Sequence, residues 1–284
     1  MSILRFSWLG PRVLLAAIAC FACSDAPVDV AAPGPSALAG KLTLSGSSTL
    51  APLAAEIGKR FEASHPGVRI DVQTGGSSRG IADAHSGRVD IGMSSRALTT
   101  SEGAATREHV VARDGVAFAV HADNPVQALS GDQLLAIYRG ELTRWSEVGG
   151  DDAPIVVVDR AEGRSELSLV ADYFGVVPSA FRAGLVCGET QHCVKTLVGN
   201  PYAIAYLSVG AAEFERDRGA PLRLLALDGV PASRDSVASG AYPLGRPLLF
   251  VTRASSPLSE AFLALALSPE VADLVSGQAF VAPR

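Results

Sequence analysis

From Lys41 onward one pattern recurs: a short apolar run, a loop of glycine and serine, then apolar residues at helical spacing. KLTLSG runs into SGSST and then into a stripe of Leu50, Leu53, Ala54, Ile57 and Phe61, which returns every three or four residues and marks one helix face. VRIDVQ alternates Val68, Ile70 and Val72 as a strand does, GGSSRG opens a second short helix, and VDIGMSS reads as strand and turn. GVAFAV, YAIAYLSVG, PLRLLAL and PLLFVT are further strand candidates. IVVV is continuously apolar, the form taken by a parallel strand covered on both faces. Leu167, Val170, Ala171 and Phe174 give the helix that follows it. Strands alternating with helices predict an α/β fold with a mostly parallel sheet. In such sheets ligands sit at the carboxyl ends of strands, where helices begin.

The ends and the bulk properties narrow the setting. A chain of 284 residues has room for one large or two medium domains. Hydrophobic residues make up 48% and charged ones 19%, which suits a core-forming protein. A net charge of −5 without any basic run argues against a nucleic-acid partner. Arg5 and Arg12 precede VLLAAIACFAC, which is shorter than the roughly 20 apolar residues of a membrane span. Residues 1–23 therefore read as a secretory signal. Its ending resembles a bacterial lipoprotein signal, with Cys23 as the lipidated residue and Cys20 as the alternative; a plain cleaved signal is the simpler reading. The Pro-, Ala- and Gly-rich stretch 24–40 reads as a flexible tether. In an exported chain, Cys187 and Cys193 of CGETQHC are expected to form a small disulfide loop.

Four loops carry the chemistry. SGSST (45–49), GGSSRG (75–80), GMSSR (92–96) and DRAEGRSE (159–166) each follow an apolar strand. A helix N-terminus leaves its first N–H groups unpaired and carries about half a positive charge. Several such ends converging with hydroxyls form an anion site. For a single loop, ordinary serine or threonine capping explains the composition equally well; the recurrence favours an anion. Pro52 suits the first helical turn, where its missing N–H costs nothing. There is no GxxxxGK[ST] and no GxGxxG after a strand. His65, His85, His109, His121 and His192 show no metal-ligand spacing, so no metal is expected. Trp145 and Tyr138 read as packing residues.

Taken together, SGSSTLAPL, TGGSSRGI, VDIGMSSRAL, DGVAFAVHADNPVQALSGDQLLAIYRGELTRWSEVGGDDAPIVVVDRAEG, YAIAYLSVG, YPLGRPLLFVT and LSPEVADLVSGQAFV resemble, in content and order, the periplasmic phosphate-binding proteins of bacterial ABC importers. The likeness spans nearly all of 41–284. It implies two α/β lobes joined by a hinge, each a mostly parallel sheet flanked by helices. Lobe I would comprise 41–114 and 252–284, and lobe II 115–251, with GVAFAV and PLLFVT as crossover strands. It implies a binding protein rather than an enzyme, without cofactor, that closes on inorganic phosphate and hands it to an inner-membrane ABC permease. The chain would be a monomer, periplasmic or at the cell surface, held to a bacterial membrane by its lipid. Matched by motif, Ser48, Thr49 and Leu50 would donate from the first loop, Ser77 and Ser78 from the second, Ser95 from the third, and Arg160 from the fourth as a planar charged donor.

Two departures from the family pattern bear on which anion is bound. Many members carry an aspartate just after the serine of the third loop, which accepts the proton of hydrogen phosphate and repels sulfate. Here Ser94 is followed by Ser95 and Arg96. In the fourth loop the usual Ser-Gly-Thr is replaced by Arg164, Ser165 and Glu166. On one reading Ser165 donates, Arg164 or Arg96 adds positive charge, and Glu166 accepts a phosphate proton. On the other, Glu166 is an early helix residue favoured by the dipole, and Arg164, like Arg79, is a solvated surface side chain. The alternatives in function are another tetrahedral oxyanion such as sulfate, or a surface lipoprotein that senses phosphate or assists adhesion without transport.

Overall fold

The computed structural model describes residues 38–283. The signal segment, Cys20, Cys23 and almost all of the tether lie outside the described residues. The chain runs through β1 (Gly40–Gly46), α1 (Ala51–Ser64), β2 (Val68–Thr74), α2 (Ser77–Ser86), β3 (Ile91–Ser94), α3 (Thr100–Gly103) and a long β4 (Arg107–His121). It continues through β5 (Ala128–Leu129), α4 (Gly131–Tyr138), β6 (Val156–Arg160), α5 (Ser165–Tyr173), β7 (Leu185–Cys187), α6 (Thr190–Gly199) and β8 (Ala203–Ser208). Then come α7 (Val209–Asp217), β9 (Leu222–Leu224), β10 (Ala226–Leu227), α8 (Arg234–Ser239), β11 (Gly245–Thr252), α9 (Pro257–Ala266) and α10 (Ala272–Gly277).

Nine strands form one sheet in the order β2-β1-β3-β11-β4-β8-β6-β7, with β9 beside β4. β1 pairs in parallel with β2 and β3, and β6 in parallel with β7 and β8. The two parallel halves meet at β4 and β11, which run antiparallel to their neighbours. β4 joins the halves as one strand. Its Arg107–Gly115 portion pairs with β11, and Val116–Val120 pairs with β8.

The apolar stripes are buried as their spacing predicts. Leu50, Leu53, Ala54, Ile57 and Phe61 join Leu42, Leu44, Ile91, Leu248, Phe250 and Phe262 in one core. Val116, Phe118, Tyr138, Trp145, Val170 and Tyr206 form another. Burying each large apolar side chain contributes roughly 1.5–3 kcal/mol before chain entropy is offset. The cores lie on either side of the β4–β11 junction, giving two lobes. Helix α2 lies close against the first half-sheet because Gly80 has no side chain: a Cβ there would stand 2.5 Å from the Ser45 carbonyl and 2.7 Å from that of Met93. This packing carries the second serine loop to the ends of β1 and β3.

Candidate functional site

Apart from Ser47, which accepts the Leu50 N–H, the serines of the opening loops are not helix caps. Helices α4, α7, α8 and α9 begin with Ser130, Ser208, Ser233 and Ser256, and each of these hydroxyls accepts a bond from an N–H in the first turn. Helices α1, α2 and α5 have N-caps Leu50, Gly76 and Arg164 and no side-chain cap. Their hydroxyls instead meet one another. Ser47 donates to Ser95 at 2.9 Å and accepts from the Leu50 N–H at 3.2 Å. The Ser95 hydroxyl lies 3.3 Å from that of Ser77 and 2.7 Å from that of Ser165. Ser77 accepts the Ser95 N–H at 3.0 Å. Three open helix ends therefore converge on one buried hydroxyl cluster between the lobes.

Two guanidiniums complete the cradle, and both are buried. Arg160 ends β6, where the strand delivers it to the mouth of the fourth loop. Its Nη2 lies 3.5 Å from Glu166 Oε2, its Nη1 lies against the sulfurs of Cys187 and Cys193, and its buried Nε has no partner among the described residues. Those cysteines form the expected disulfide. Arg246, near the start of β11, donates to Ser165 at 3.0 Å, Ser95 at 3.4 Å, Thr49 at 3.3 Å and Glu166 at 3.1 Å. It also pairs with Asp114 at 2.9 Å.

Glu166 is buried and accepts a 2.9 Å bond from the Thr49 hydroxyl. Burial alone would raise its pKa, but the positive charges of Arg160 and Arg246 overcome this and hold it well below the usual carboxylate range. For Arg246, burial disfavours the charge, yet Glu166 and Asp114 raise its pKa above the ordinary arginine value. Behind the cradle, burial pushes Asp159 up; it accepts bonds from the Tyr206 hydroxyl and the Arg160 N–H.

Thr49, Ser77, Ser95, Arg160, Ser165 and Glu166 thus come together. Leu50 is buried beneath them, and its N–H is taken by Ser47. Ser48 stands at the rim, 3.4 Å from Thr190 across the cleft. Ser78 is exposed. Arg96 turns away and grips Glu102 with two 2.8 Å bonds. Arg164 pairs with Glu189 at 2.8 Å, and its buried Nη1 has no partner among the described residues. Arg79 is largely exposed and reaches Asp83 at 3.3 Å.

Arg246 and Asp114 are the residues that sequence reasoning missed. The available signal was a charge just before each of two apolar runs, in ARDGVAFAV and in YPLGRPLLFVT. The β4–β11 register sets the two residues opposite each other. Beside the cradle opens a cleft of about 540 Å³, bordered by Ser48, Thr49, Thr190, Lys195, Phe214 and Phe280. Among the described residues no group of side chains is arranged to hold a metal.

Two lobes with a dry cradle of hydroxyls, helix ends and guanidiniums between them define a solute-binding protein of the periplasmic type. The sequence profile of the family described as "PBP superfamily domain" matches residues 31–270. Phosphate-binding protein PstS of Bacillus subtilis (strain 168) is 31% identical over 217 residues, covering 75% of this chain and 70% of that protein. A putative phosphate ABC transporter substrate-binding protein with bound phosphate, from Clostridium perfringens, superposes with a TM-score of 0.80 at 30% identity, covering 86% of this chain and all of that one. An ABC-type phosphate transport receptor from Vibrio cholerae gives 0.71 at 27% identity, over 85% of this chain and all of that one. The chain belongs to the family of phosphate-binding proteins of bacterial ABC importers, which are transport receptors and not enzymes.

Proposed function

We propose that the chain captures inorganic phosphate between its lobes and delivers it to an ABC permease. The observation that carries this reading is the convergence of three uncapped helix ends and two buried guanidiniums on one hydroxyl cluster. Anions suit such a site because hydroxyls, helix N–H groups and two guanidiniums converge there as donors. Binding would stabilise the closed arrangement by population shift. The separate cores support a division into lobe I (41–114 and 252–284) and lobe II (115–251), except that β11 from Leu248 onward packs on the lobe I side. The family and the signal-like N-terminus support an extracytoplasmic location. Lipidation at Cys23, or alternatively at Cys20, would tether a monomer to the membrane. Among the described residues no helix is long and apolar enough to cross one.

The test is calorimetry on protein stripped of endogenous ligand by unfolding and refolding, with phosphate, arsenate, sulfate and molybdate in competition. Phosphate and arsenate are expected to bind and compete; absence of phosphate binding and of any thermal shift overturns the reading. A second reading, another tetrahedral oxyanion, is favoured by one observation. The third loop brings Ser95 to the cradle and turns Arg96 to Glu102, so that loop presents no carboxylate to accept a phosphate proton.

A further inference from the structure

The neutral backing of Arg160 comes from a bridge. β7 ends at Cys187, which pairs in register with Arg160 of β6, and the Ala161 N–H donates to the Cys187 carbonyl at 3.0 Å. Cys193 lies in the first turn of α6, buried with Val158, Val194 and Leu197. The disulfide between them sets both sulfurs against Arg160 Nη1. A guanidinium has five N–H donors in a rigid fork. In Arg160, Nη1 faces the sulfurs, Nη2 lies 3.5 Å from Glu166, and Nε has no partner among the described residues. Sulfur is a weak acceptor and the bridge carries no charge, so it orients the guanidinium without neutralising it. A carboxylate in that place would engage the charge that an incoming anion needs. The other carboxylates close by are turned to other donors: Asp159 to Tyr206 and the Arg160 N–H, Glu189 to Arg164.

The bridge also fastens a short edge. β7 has three residues and ends the strand order with β6 as its neighbour, and its Leu185 and Val186 are exposed. The loop that the bridge closes carries Glu189, paired with Arg164 at 2.8 Å, and Thr190, which meets Ser48 of the other lobe at 3.4 Å. We propose that the Cys187–Cys193 bridge is a positioning element of the anion site: its sulfurs hold the Arg160 guanidinium in place, and phosphate affinity falls when the bridge is opened. The inference rests on the phosphate reading above. Opening takes two electrons and two protons from an added dithiol, which itself becomes a disulfide, and leaves Cys187 and Cys193 as separate thiols. Arg160 then loses its fixed support, and its Nε a set direction.

The measurement is phosphate calorimetry on protein stripped with the bridge intact. It compares oxidised wild type, wild type opened by a dithiol, and Cys187→Ala/Cys193→Ala, with opening and the alanine pair also placed in Arg160→Lys. A thiol count confirms opening, and circular dichroism checks that each protein is folded. Binding too weak for calorimetry is read from the rise of melting temperature with phosphate concentration. The opened protein and the alanine pair are expected to bind phosphate at least about tenfold more weakly than oxidised wild type, the scale of one hydrogen bond to a charged group. Reoxidation of the opened protein should restore its affinity. In Arg160→Lys, opening or the alanine pair should weaken binding by less than about a further twofold, because effects carried through one residue do not add. A loss as large in that background as in wild type, or unfolding of both the opened protein and the alanine pair, makes the bridge a general support and overturns the inference. Opened and alanine-pair proteins that bind within about twofold of oxidised wild type overturn it too. In these cases the phosphate reading stands. Absence of phosphate binding by oxidised wild type overturns that reading, and this inference with it.

Discussion

Arg246 faces two buried carboxylates, so removing its charge leaves Asp114 and Glu166 in a dry site with Arg160 alone to balance them. Arg246→Gln is therefore expected to lower stability by about 3–5 kcal/mol, read from urea unfolding, and to abolish phosphate binding in calorimetry. Arg96 should behave differently. It holds Glu102 at about 2, mainly through their hydrogen bonds. A carboxyl whose folded value lies below its unfolded one stabilises the fold fully above the unfolded value, and that contribution fades as pH falls toward the folded value. Arg96→Gln should thus shift acid unfolding, followed by circular dichroism, to higher pH while leaving phosphate affinity within about twofold. The contrast between these arginines also marks what a sequence can disclose. The hydroxyl loops are legible because each is a local string placed between a strand and a helix. Arg96 is adjacent to Ser95, yet one step along the backbone turns it outward to Glu102. Arg246 is illegible locally because its partners lie at positions 49, 95, 114, 165 and 166, Asp114 brought by strand register and the others by the meeting of loops from both lobes.

At the scale of elements, the alternation of strand and helix was readable throughout. The reversal of β4 and β11 against their neighbours was not, because apolar runs look alike in either direction. The open ends of α1, α2 and α5 could not be told from capped ones by composition, since serine serves both uses. The second and fourth loops touch through Gly76. It has φ +93°, and a Cβ on it would stand 2.7 Å from the Gly163 carbonyl of the other lobe. Gly76→Ala should thus obstruct closure, besides straining its own loop. The expected result is a phosphate Kd weaker by at least about tenfold, equivalent to about 1.4 kcal/mol, from calorimetry. The melting temperature of the ligand-free protein should fall as well, because φ +93° strains any residue that carries a Cβ.

For the whole molecule, Ser95 against Ser165, Thr49 against Glu166 and Ser48 against Thr190 are contacts from one lobe to the other. Stripped of ligand, the protein should relax toward a wider form with a larger radius of gyration by small-angle X-ray scattering, and phosphate should restore the compact one; an unchanged radius would argue against lobe closure. The β4–β11 junction sets the character of that movement. Gly115 and Gly245 stand opposite each other where β4 passes from one half-sheet to the next, and the adjacent pair in the register is Asp114 with Arg246. A hydrogen-bonded ribbon flexes like a leaf spring rather than swinging like a door. Arg246 sits at this junction and reaches Thr49 and Ser95 of one lobe and Ser165 and Glu166 of the other, so an anion that pairs with it acts where the two halves meet.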